Sequence, residues 1–300
     1  MFAFDLSQVA LCAPEGITES GEPAGLPADL HEVIGSTGDQ FRDWFTRLCL
    51  YLVHTGGETP GAGGSAARAS GTRTDETVVI GTEYGNTAAL ARLQRDAASK
   101  GRLLSAQYFP NATSSSAAAF VNLSIGATGR NMTLNGGTLT PVLALWQALS
   151  ALERGRSDVS RLLVGDVYSP EALRDADHDA PGVTCRSGVT HATLVRGHGL
   201  TAAFDFGTGL DAPGDARDDT PDNAPGARVE VIRDPGHPAL TGDTVPAAAH
   251  DRNGAFATDA FLRLAGTLRA GERAVLTCRT ATGRRAGVTV TRQKVTTDAQ

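Results

Sequence analysis

The sequence has no long apolar run, no excess of basic charge and no closely spaced cysteines. Because no stretch of about 18 apolar residues occurs, we expect no transmembrane helix. The formal net charge of −6 at pH 7 argues against a nucleic-acid groove, which needs a basic surface. No basic residue precedes the short N-terminal apolar stretch, so we expect no secretory signal.

The few cysteines lie far apart in the sequence, at Cys12, Cys49, Cys185 and Cys278, and form no C-x-x-C pair. This spacing argues against both a metal site and a disulfide framework. It predicts free thiols in a reducing compartment. We therefore expect a cytoplasmic protein with no bound metal and no cofactor.

The 300 residues, of which 41% are apolar, are enough for one large domain or two modest ones with a real core. Two segments rich in small and turn-forming residues, Thr55–Glu76 and Thr208–Arg228, predict surface loops. The second holds an acidic cluster of Asp215, Asp218, Asp219 and Asp222. Its irregular spacing is more typical of a solvated loop than of a cation site.

Between and after these loops, strand and helix patterns alternate, which predicts an α/β fold. Helices are predicted at 40–53, 86–101, 141–155 and 254–271. Strands are predicted at 76–85, 131–137, 161–167 and 227–234, with a closing hairpin at 274–293 around Gly283. Two further strands, 188–197 and 200–207, are predicted to pair antiparallel through a turn at His198 and Gly199.

The segment Phe109–Val167 resembles the nucleophile region of the β-ketoacyl synthases, which are members of the thiolase-fold superfamily. The likeness rests on the order and spacing of Pro110–Asn111, the Gly126–Asn131 turn, the strand through Thr133, and Asp158 before a strand ending at Gly165–Asp166. The last predicted helix and the hairpin resemble the closing elements of the same family.

This resemblance implies a fold of two pseudo-symmetric α/β halves in a layered αβαβα body. The halves would comprise residues 1–170 and 171–300, joined in one compact unit and trimmed in the second half.

In the family, a cysteine lies at an elbow between a strand and a helix, where the helix dipole and backbone amides activate it for acyl transfer. The register from Gly129 and Thr133 places Thr138 at this position, and no cysteine lies between Cys49 and Cys185. A threonine hydroxyl needs an adjacent base to act as a nucleophile. Condensation through a cysteine at this elbow is therefore excluded.

The catalytic histidines of the family are also degraded in this chain. His237 is the counterpart of the first, on a shortened loop, while the second position falls on Asp251, next to His250. Both histidines are also compatible with purely structural roles. The chain thus resembles an inactive ketosynthase, and specifically the chain-length factor of bacterial type II polyketide synthases.

The resemblance implies a heterodimer with an active ketosynthase, formed through the strand Met132, Thr133, Leu134 and Asn135. The family's acyl tunnel would then have a floor of mostly small residues, Pro110, Asn111, Ala112, Thr113, Ser114, Ser116 and Ala117. Small residues imply a longer or wider tunnel, of the kind that a polyene or highly reducing system would use. The same run equally suits close helix packing.

An acyl carrier protein would act through the complex. Surface arginines, including Arg154, Arg156 and Arg161, suit either an acidic carrier or a solvated helix end. Two other functions stay open from the sequence. One is a stand-alone acyltransferase or hydrolase using Thr138, which requires a base within hydrogen-bond reach. The other is an α/β binding protein unrelated to ketosynthases.

Overall fold

The computed structural model describes residues 1–18, 22–56, 75–104, 106–179, 181–207, 226–232 and 251–293. Most of the two predicted loops, 55–76 and 208–228, and all of the acidic cluster lie outside these residues. In chain order, the elements are β1 (Phe2–Cys12), β2 (Gly16–Ile17), β3 (Pro23–Ala24), α1 (Leu30–Ile34), α2 (Trp44–Thr55), β4 (Glu76–Gly81), α3 (Thr87–Lys100), α4 (Phe109–Ala112), α5 (Ser116–Ser124), β5 (Asn131–Leu134), α6 (Thr140–Glu153), β6 (Val159–Asp166), α7 (Pro170–Asp179), β7 (Gly188–Phe206), β8 (Gly226–Ile232), α8 (Gly254–Thr267), β9 (Arg273–Arg279) and β10 (Arg285–Arg292).

One eight-stranded sheet connects both halves of the chain, in the order β5-β4-β6-β7-β10-β9-β8, with β1 also paired to β7. Strands β5, β4 and β6 are parallel to one another, and all other pairings in this sheet are antiparallel. The first part of β7 pairs with β6 and its last part with β10. This long strand therefore joins a mixed section of the sheet to an antiparallel one.

Helices pack in layers around the two sheet sections. Helices α6 and α8 contact strands of both sections and bury the larger apolar core between them. Helices α2 and α5 cover the outer face of the first section through a second core. In the described ranges no helix covers the outer face of the second section.

The central strands of the first section are buried on both faces, as their continuous apolar runs predict. In β4, Val79 faces the larger core while Val78 and Ile80 face the second core. In β6, Leu162 and Leu163 divide between the cores in the same way. Helix α2 begins at Trp44, four residues after its predicted start, where Asp43 caps it by accepting a hydrogen bond from the Phe45 amide at 2.9 Å.

The predicted hairpin turn at His198 and Gly199 is wrong, because these residues lie within the single strand β7. Phe4 pairs with Leu200 while Asp5 pairs with Val195, so residues 196–199 form a bulge opposite β1. The Asp5 carboxylate accepts a hydrogen bond from the Gly199 amide at 2.8 Å. A side chain at position 197 would collide with Asp5. Glycine therefore marks a bulge here rather than a turn.

Other boundaries shift by a few residues. The strands predicted at 76–85 and 131–137 end earlier, at Gly81 and Leu134, and the final helix ends at Thr267. None of the described helices combines the length and the apolar character that crossing a membrane requires.

Candidate functional site

The elbow between β5 and α6 is a tight turn at the carboxyl end of the parallel strands. The Gly136 amide donates to the Thr140 hydroxyl at 2.9 Å, and the Thr140 amide donates to the Gly137 carbonyl at 3.1 Å. Gly137 has a φ of 57°, in the left-handed region that favours glycine. Thr138 therefore lies just before the first turn of α6, as the sequence predicts for an elbow residue.

The Thr138 hydroxyl is held by a group that cannot activate it. It donates a hydrogen bond to the backbone carbonyl of Arg279, at the end of β9, over 2.8 Å. A carbonyl oxygen is far too weak a base to take the proton of an alcohol. The arrangement holds the elbow against the second section of the sheet, and among the described residues no side chain bonds the Thr138 hydroxyl as a general base would.

The space in front of the elbow is a narrow cleft between the two halves. Its walls come from β4, β6, the elbow, β8 and the start of α8, and are formed by Gly81, Thr82, Glu83, Gly137, Thr138, Thr140, Pro141, Val164, Gly165, Asp166, Ala227, Arg252 and Gly254. The cleft encloses about 10 Å³, which is roughly the room that one water molecule needs.

An ion pair fills the polar side of the cleft. The guanidinium of Arg252 donates from Nε to one carboxylate oxygen of Glu83 at 3.1 Å and from one terminal nitrogen to the other at 2.6 Å. It also bonds the carboxylate of Asp179 and the carbonyl of Ala176. These hydrogen bonds, with Glu83 first, raise the pKa of Arg252. Both oxygens of Glu83 are thus engaged.

Asp166 positions the residue that pairs with Arg252. Its buried carboxylate accepts hydrogen bonds from the Thr82 hydroxyl at 2.6 Å and from the amides of Glu83 and Tyr84 at 2.9 and 2.6 Å. Burial raises the pKa of Asp166 to about 6, although these hydrogen bonds act in the opposite direction. The carboxylate fixes the turn after β4 and with it the direction of the Glu83 side chain.

Of the three residues considered for the two family histidines, only Asp251 lies in the described residues. His237 and His250 fall outside them. Asp251 is buried and pairs with Arg186, and it also accepts a hydrogen bond from the Asn253 amide at 3.0 Å. Asp251 thus anchors the entry to α8. Its neighbour Arg252, rather than Asp251, lines the cleft.

The cysteines do not supply a replacement nucleophile. All four are free, and Cys49 and Cys278 are fully buried. Burial raises the pKa of Cys12 to about 11 and that of Cys278 to about 12, so both stay as thiols near neutral pH. Within the described ranges, no three metal-ligating side chains converge.

The predicted tunnel floor divides between surface and interior. Pro110, Thr113 and Ser114 are exposed, whereas Asn111, Ala112, Ser116 and Ala117 are buried. Ala117 packs in the core beneath α5, as the packing alternative predicts. Asn111 donates from Nδ2 to the Gln107 carbonyl at 3.2 Å, while its buried Oδ1 has no hydrogen-bond partner in the described residues.

The predicted dimer strand lies at an edge of the sheet. Among the described strands, β5 pairs with β4 alone: the Arg130 carbonyl accepts a hydrogen bond from the Val78 amide in β4, and the Leu134 carbonyl accepts one from the Thr82 amide just after β4. Since backbone groups alternate in direction along a strand, those of Asn131 and Thr133 face away from β4. Asn135 follows the strand, and its amide Nδ2 donates to the Glu83 carbonyl at 2.9 Å. An open edge of this kind can pair with a strand of another chain.

Sequence reasoning did not single out Glu83 and Arg252 as site residues. A partial signal exists, because Glu83 and Asp166 follow the ends of two buried parallel strands, where polar side chains meet. Arg252 carries no such signal. It is 169 positions from Glu83 and lies next to the position that the family comparison singled out.

No protein-family profile matches the chain, and no curated protein matches its sequence. Its three-dimensional structure is similar to that of the ishigamide ketosynthase/chain length factor, with a TM-score of 0.63 and 17% sequence identity over 97% of this chain and 100% of that one. It is also similar to the ketosynthase ApeO in complex with its chain length factor ApeC from Xenorhabdus doucetiae. That match has a TM-score of 0.52 and 11% identity, over 97% of this chain and 100% of that one.

These likenesses concern the fold, which agrees with the strand order and the central helix pair described above. The two comparisons show the fold that the sequence resemblance implies. The chain has the thiolase-like fold of ketosynthase and chain length factor proteins.

Proposed function

We propose that this chain is a non-catalytic chain-length factor, which pairs with an active ketosynthase and shapes its acyl tunnel in a bacterial type II polyketide synthase. The observation that carries the proposal is the elbow. In a ketosynthase-like fold, the position expected for the nucleophile is Thr138, and its hydroxyl is bonded to a backbone carbonyl. The protein would act in the cytoplasm and meet an acyl carrier protein through the complex.

The cleft geometry supports a non-catalytic role over a threonine-dependent acyltransferase. Glu83 lies beside the elbow turn, near Gly137, and Arg252 bonds both of its carboxylate oxygens. Between its described walls the cleft has room for about one water molecule, so these walls form no ready-made channel for an acyl thioester. The chain would therefore contribute a surface and not a reaction.

The direct test is co-expression with a candidate partner ketosynthase, followed by size-exclusion chromatography and intact mass spectrometry after incubation with acyl thioester. We expect a stable one-to-one complex with acyl label only on the ketosynthase. Acylation of this chain, or its elution as a separate species that ignores the ketosynthase, would overturn the proposal. The chain alone is expected to be poorly soluble, because a large interface would be exposed.

A proline in β5 tests the proposed dimer strand. Thr133→Pro removes an amide that faces away from β4, so it blocks edge pairing with another chain while the pairing with β4 is kept. We expect this variant to elute apart from the ketosynthase, whereas the matched Thr133→Val variant elutes with it. Co-elution of the proline variant would show that the partner binds elsewhere.

An aromatic residue in the exposed part of the predicted floor tests the tunnel. Ser114 is exposed in the isolated chain, so Ser114→Phe should fold normally and would narrow a tunnel formed against the partner. We expect a shorter polyketide from the reconstituted complex. The control Ser124→Phe places the same side chain at the exposed end of α5 and should leave product length unchanged. Equal product lengths for both variants would favour the packing role of this segment. A polyene or otherwise highly reduced product remains part of the proposal, and its structure would be read in the same experiment.

A further inference from the structure

Three exposed arginines lie at the end of the parallel strands that is opposite to the cleft. Arg130 immediately precedes β5, and Arg154 and Arg156 lie in the turn between α6 and β6. Residues 130 and 157 both border the start of β4: the Arg130 carbonyl accepts from the Val78 amide at 2.8 Å, and the hydroxyls of Thr77 and Ser157 are 2.9 Å apart. These three arginines are called the arginine patch below.

The arginine patch has no acidic partner. None of its guanidiniums makes an ion pair or a side-chain hydrogen bond with another residue of the described ranges, and this includes the neighbouring Glu153. Nearby arginines behave differently. Arg161 pairs with Glu76 at 2.7 Å and Arg196 with Asp158 at 2.9 Å. The patch therefore presents positive charge that the chain itself does not neutralise.

The close placement of these charges is unfavourable for the isolated chain. Arg130 and, to a smaller extent, Arg154 lower the pKa of Arg156. Cations near the carboxyl end of a helix are favourable, which accounts for Arg154 and Arg156 at the end of α6. It does not account for Arg130, which belongs to no helix and adds repulsion. A binding partner would turn this repulsion into attraction.

The size and setting of the patch select the kind of partner. Three charges on a chain of net charge −6 do not form the extended basic track that nucleic acid requires. They also fall short of the cluster of about four to eight basic residues typical of binding to anionic membranes. The planar fork of arginine matches the geometry of a carboxylate. We propose that the arginine patch docks a carboxylate-rich surface of an acidic partner protein.

This inference does not depend on the proposed function. The patch lies at the amino end of the strands, away from the elbow, and its charges would attract an acidic protein whether or not the chain binds a ketosynthase. Because exposed charges mainly steer association, the interaction should form fast and weaken with salt.

The test uses a fluorescent glutamate-rich helical peptide as the acidic probe and measures fluorescence anisotropy at low salt. The patch variant carries Arg130→Gln, Arg154→Gln and Arg156→Gln. The control carries Arg102→Gln, Arg269→Gln and Arg284→Gln, which removes the same charge from exposed positions that are scattered over the surface. We expect affinity to fall about tenfold in the patch variant, as three exposed ion pairs imply, and to change little in the control.

Equal losses in the two variants would overturn the proposal, since net charge alone would then explain binding. Tighter binding of a duplex DNA of matched charge, or of vesicles containing phosphatidylserine, would also overturn it in favour of another class of partner. A thermal melt of each variant establishes that it is folded. The size-exclusion experiment with the ketosynthase is a separate readout, so failure of either proposal can be distinguished from failure of the other.

Discussion

The two ends of the parallel strands β4, β5 and β6 differ in how their charged side chains are paired. At the carboxyl end, Glu83 and Arg252 neutralise each other inside a cleft that is almost closed. At the amino end, the arginine patch is exposed and unpaired within the described ranges. In a fold of this kind the carboxyl end is where ligands usually bind. Here that end has become part of the interior, and the free charge lies at the other end.

The largest expected effect comes from removing the ion pair between Arg252 and Glu83 at the carboxyl end of the parallel strands. Arg252→Met leaves Glu83 charged and largely buried, so we expect a loss of about 3 to 5 kcal/mol in the free energy of unfolding. Chemical denaturation of the purified chain or its complex measures this loss. The double variant Arg252→Met with Glu83→Gln should recover much of it, because the charge that then loses Arg252 as its partner, that of Asp179, is exposed.

A matched control for this prediction is the exposed pair between Arg285 and Asp205. Arg285→Met should cost less than about 1 kcal/mol. If Arg252→Met costs no more than Arg285→Met, the cleft pair is an ordinary surface pair and the contrast between the two ends fails.

The core between the two ends contains a histidine whose titration should be visible in acid. His191 is fully buried, and neither ring nitrogen has a hydrogen-bond partner in the described residues. Burial, and then Arg161, lower the pKa of His191 to about 3 from 6.5. Between these values the unfolded chain binds a proton that the folded chain does not, so stability falls as the pH falls.

The comparison of wild type with His191→Leu isolates this contribution. From pH 6.5 to pH 4.5 we expect wild type to lose about 2 to 3 kcal/mol relative to the variant, or roughly 1.4 kcal/mol for each pH unit. Denaturant titrations at several pH values measure the difference. Parallel pH profiles for the two proteins would mean that His191 is hydrated or paired in solution.

Asp166, at the carboxyl end of the parallel strands, should give the free energy of unfolding the opposite dependence on pH. Its pKa is raised from 3.8 to about 6, so between these values the folded chain holds a proton that the unfolded chain lacks. Stability should therefore fall by about 2 kcal/mol as the pH rises from 4 to 6. Asp166→Asn keeps an oxygen acceptor for the turn after β4 and removes the titration. If the stability of this variant depends on pH as that of the wild type does, another group causes the dependence. Asp43 is then the first candidate, because burial also raises its pKa to about 6.

The sequence predicts the cleft at the carboxyl end of the parallel strands only in part. The apolar runs of β4 and β6 and the proline at the start of α6 are local signals, and they place the elbow correctly. The partner of Glu83 is not a local property, since Arg252 reaches it only after the chain has formed the second half of the sheet. No periodicity or spacing encodes such a contact.

Strand β1 shows a second limit of the sequence pattern. Its pairing with β7 shifts register between Phe4 and Asp5 and between Leu6 and Gln8. The sequence pattern does not predict this strand, and it predicts a turn where β7 has a bulge opposite Phe4 and Asp5. The second error arises because glycine near a break in alternation is equally typical of a bulge and of a hairpin.

The smallest expected effect comes from removing one charge of the arginine patch, at the amino end of the parallel strands. The lowered pKa of Arg156 means that its charge is disfavoured in the folded chain, so Arg156→Gln should raise the thermal midpoint slightly at low salt. The gain should vanish at high salt, where repulsion is screened over a few ångströms. Arg161→Gln, at the same end, should lower the midpoint at any salt concentration, because it removes the 2.7 Å ion pair between Arg161 and the buried carboxylate of Glu76. Differential scanning calorimetry of both variants at two salt concentrations measures these shifts. A lower midpoint for Arg156→Gln would mean that this arginine stabilises the end of α6. The charges at the amino end of the strands would then be explained by the stability of the fold, without a binding partner.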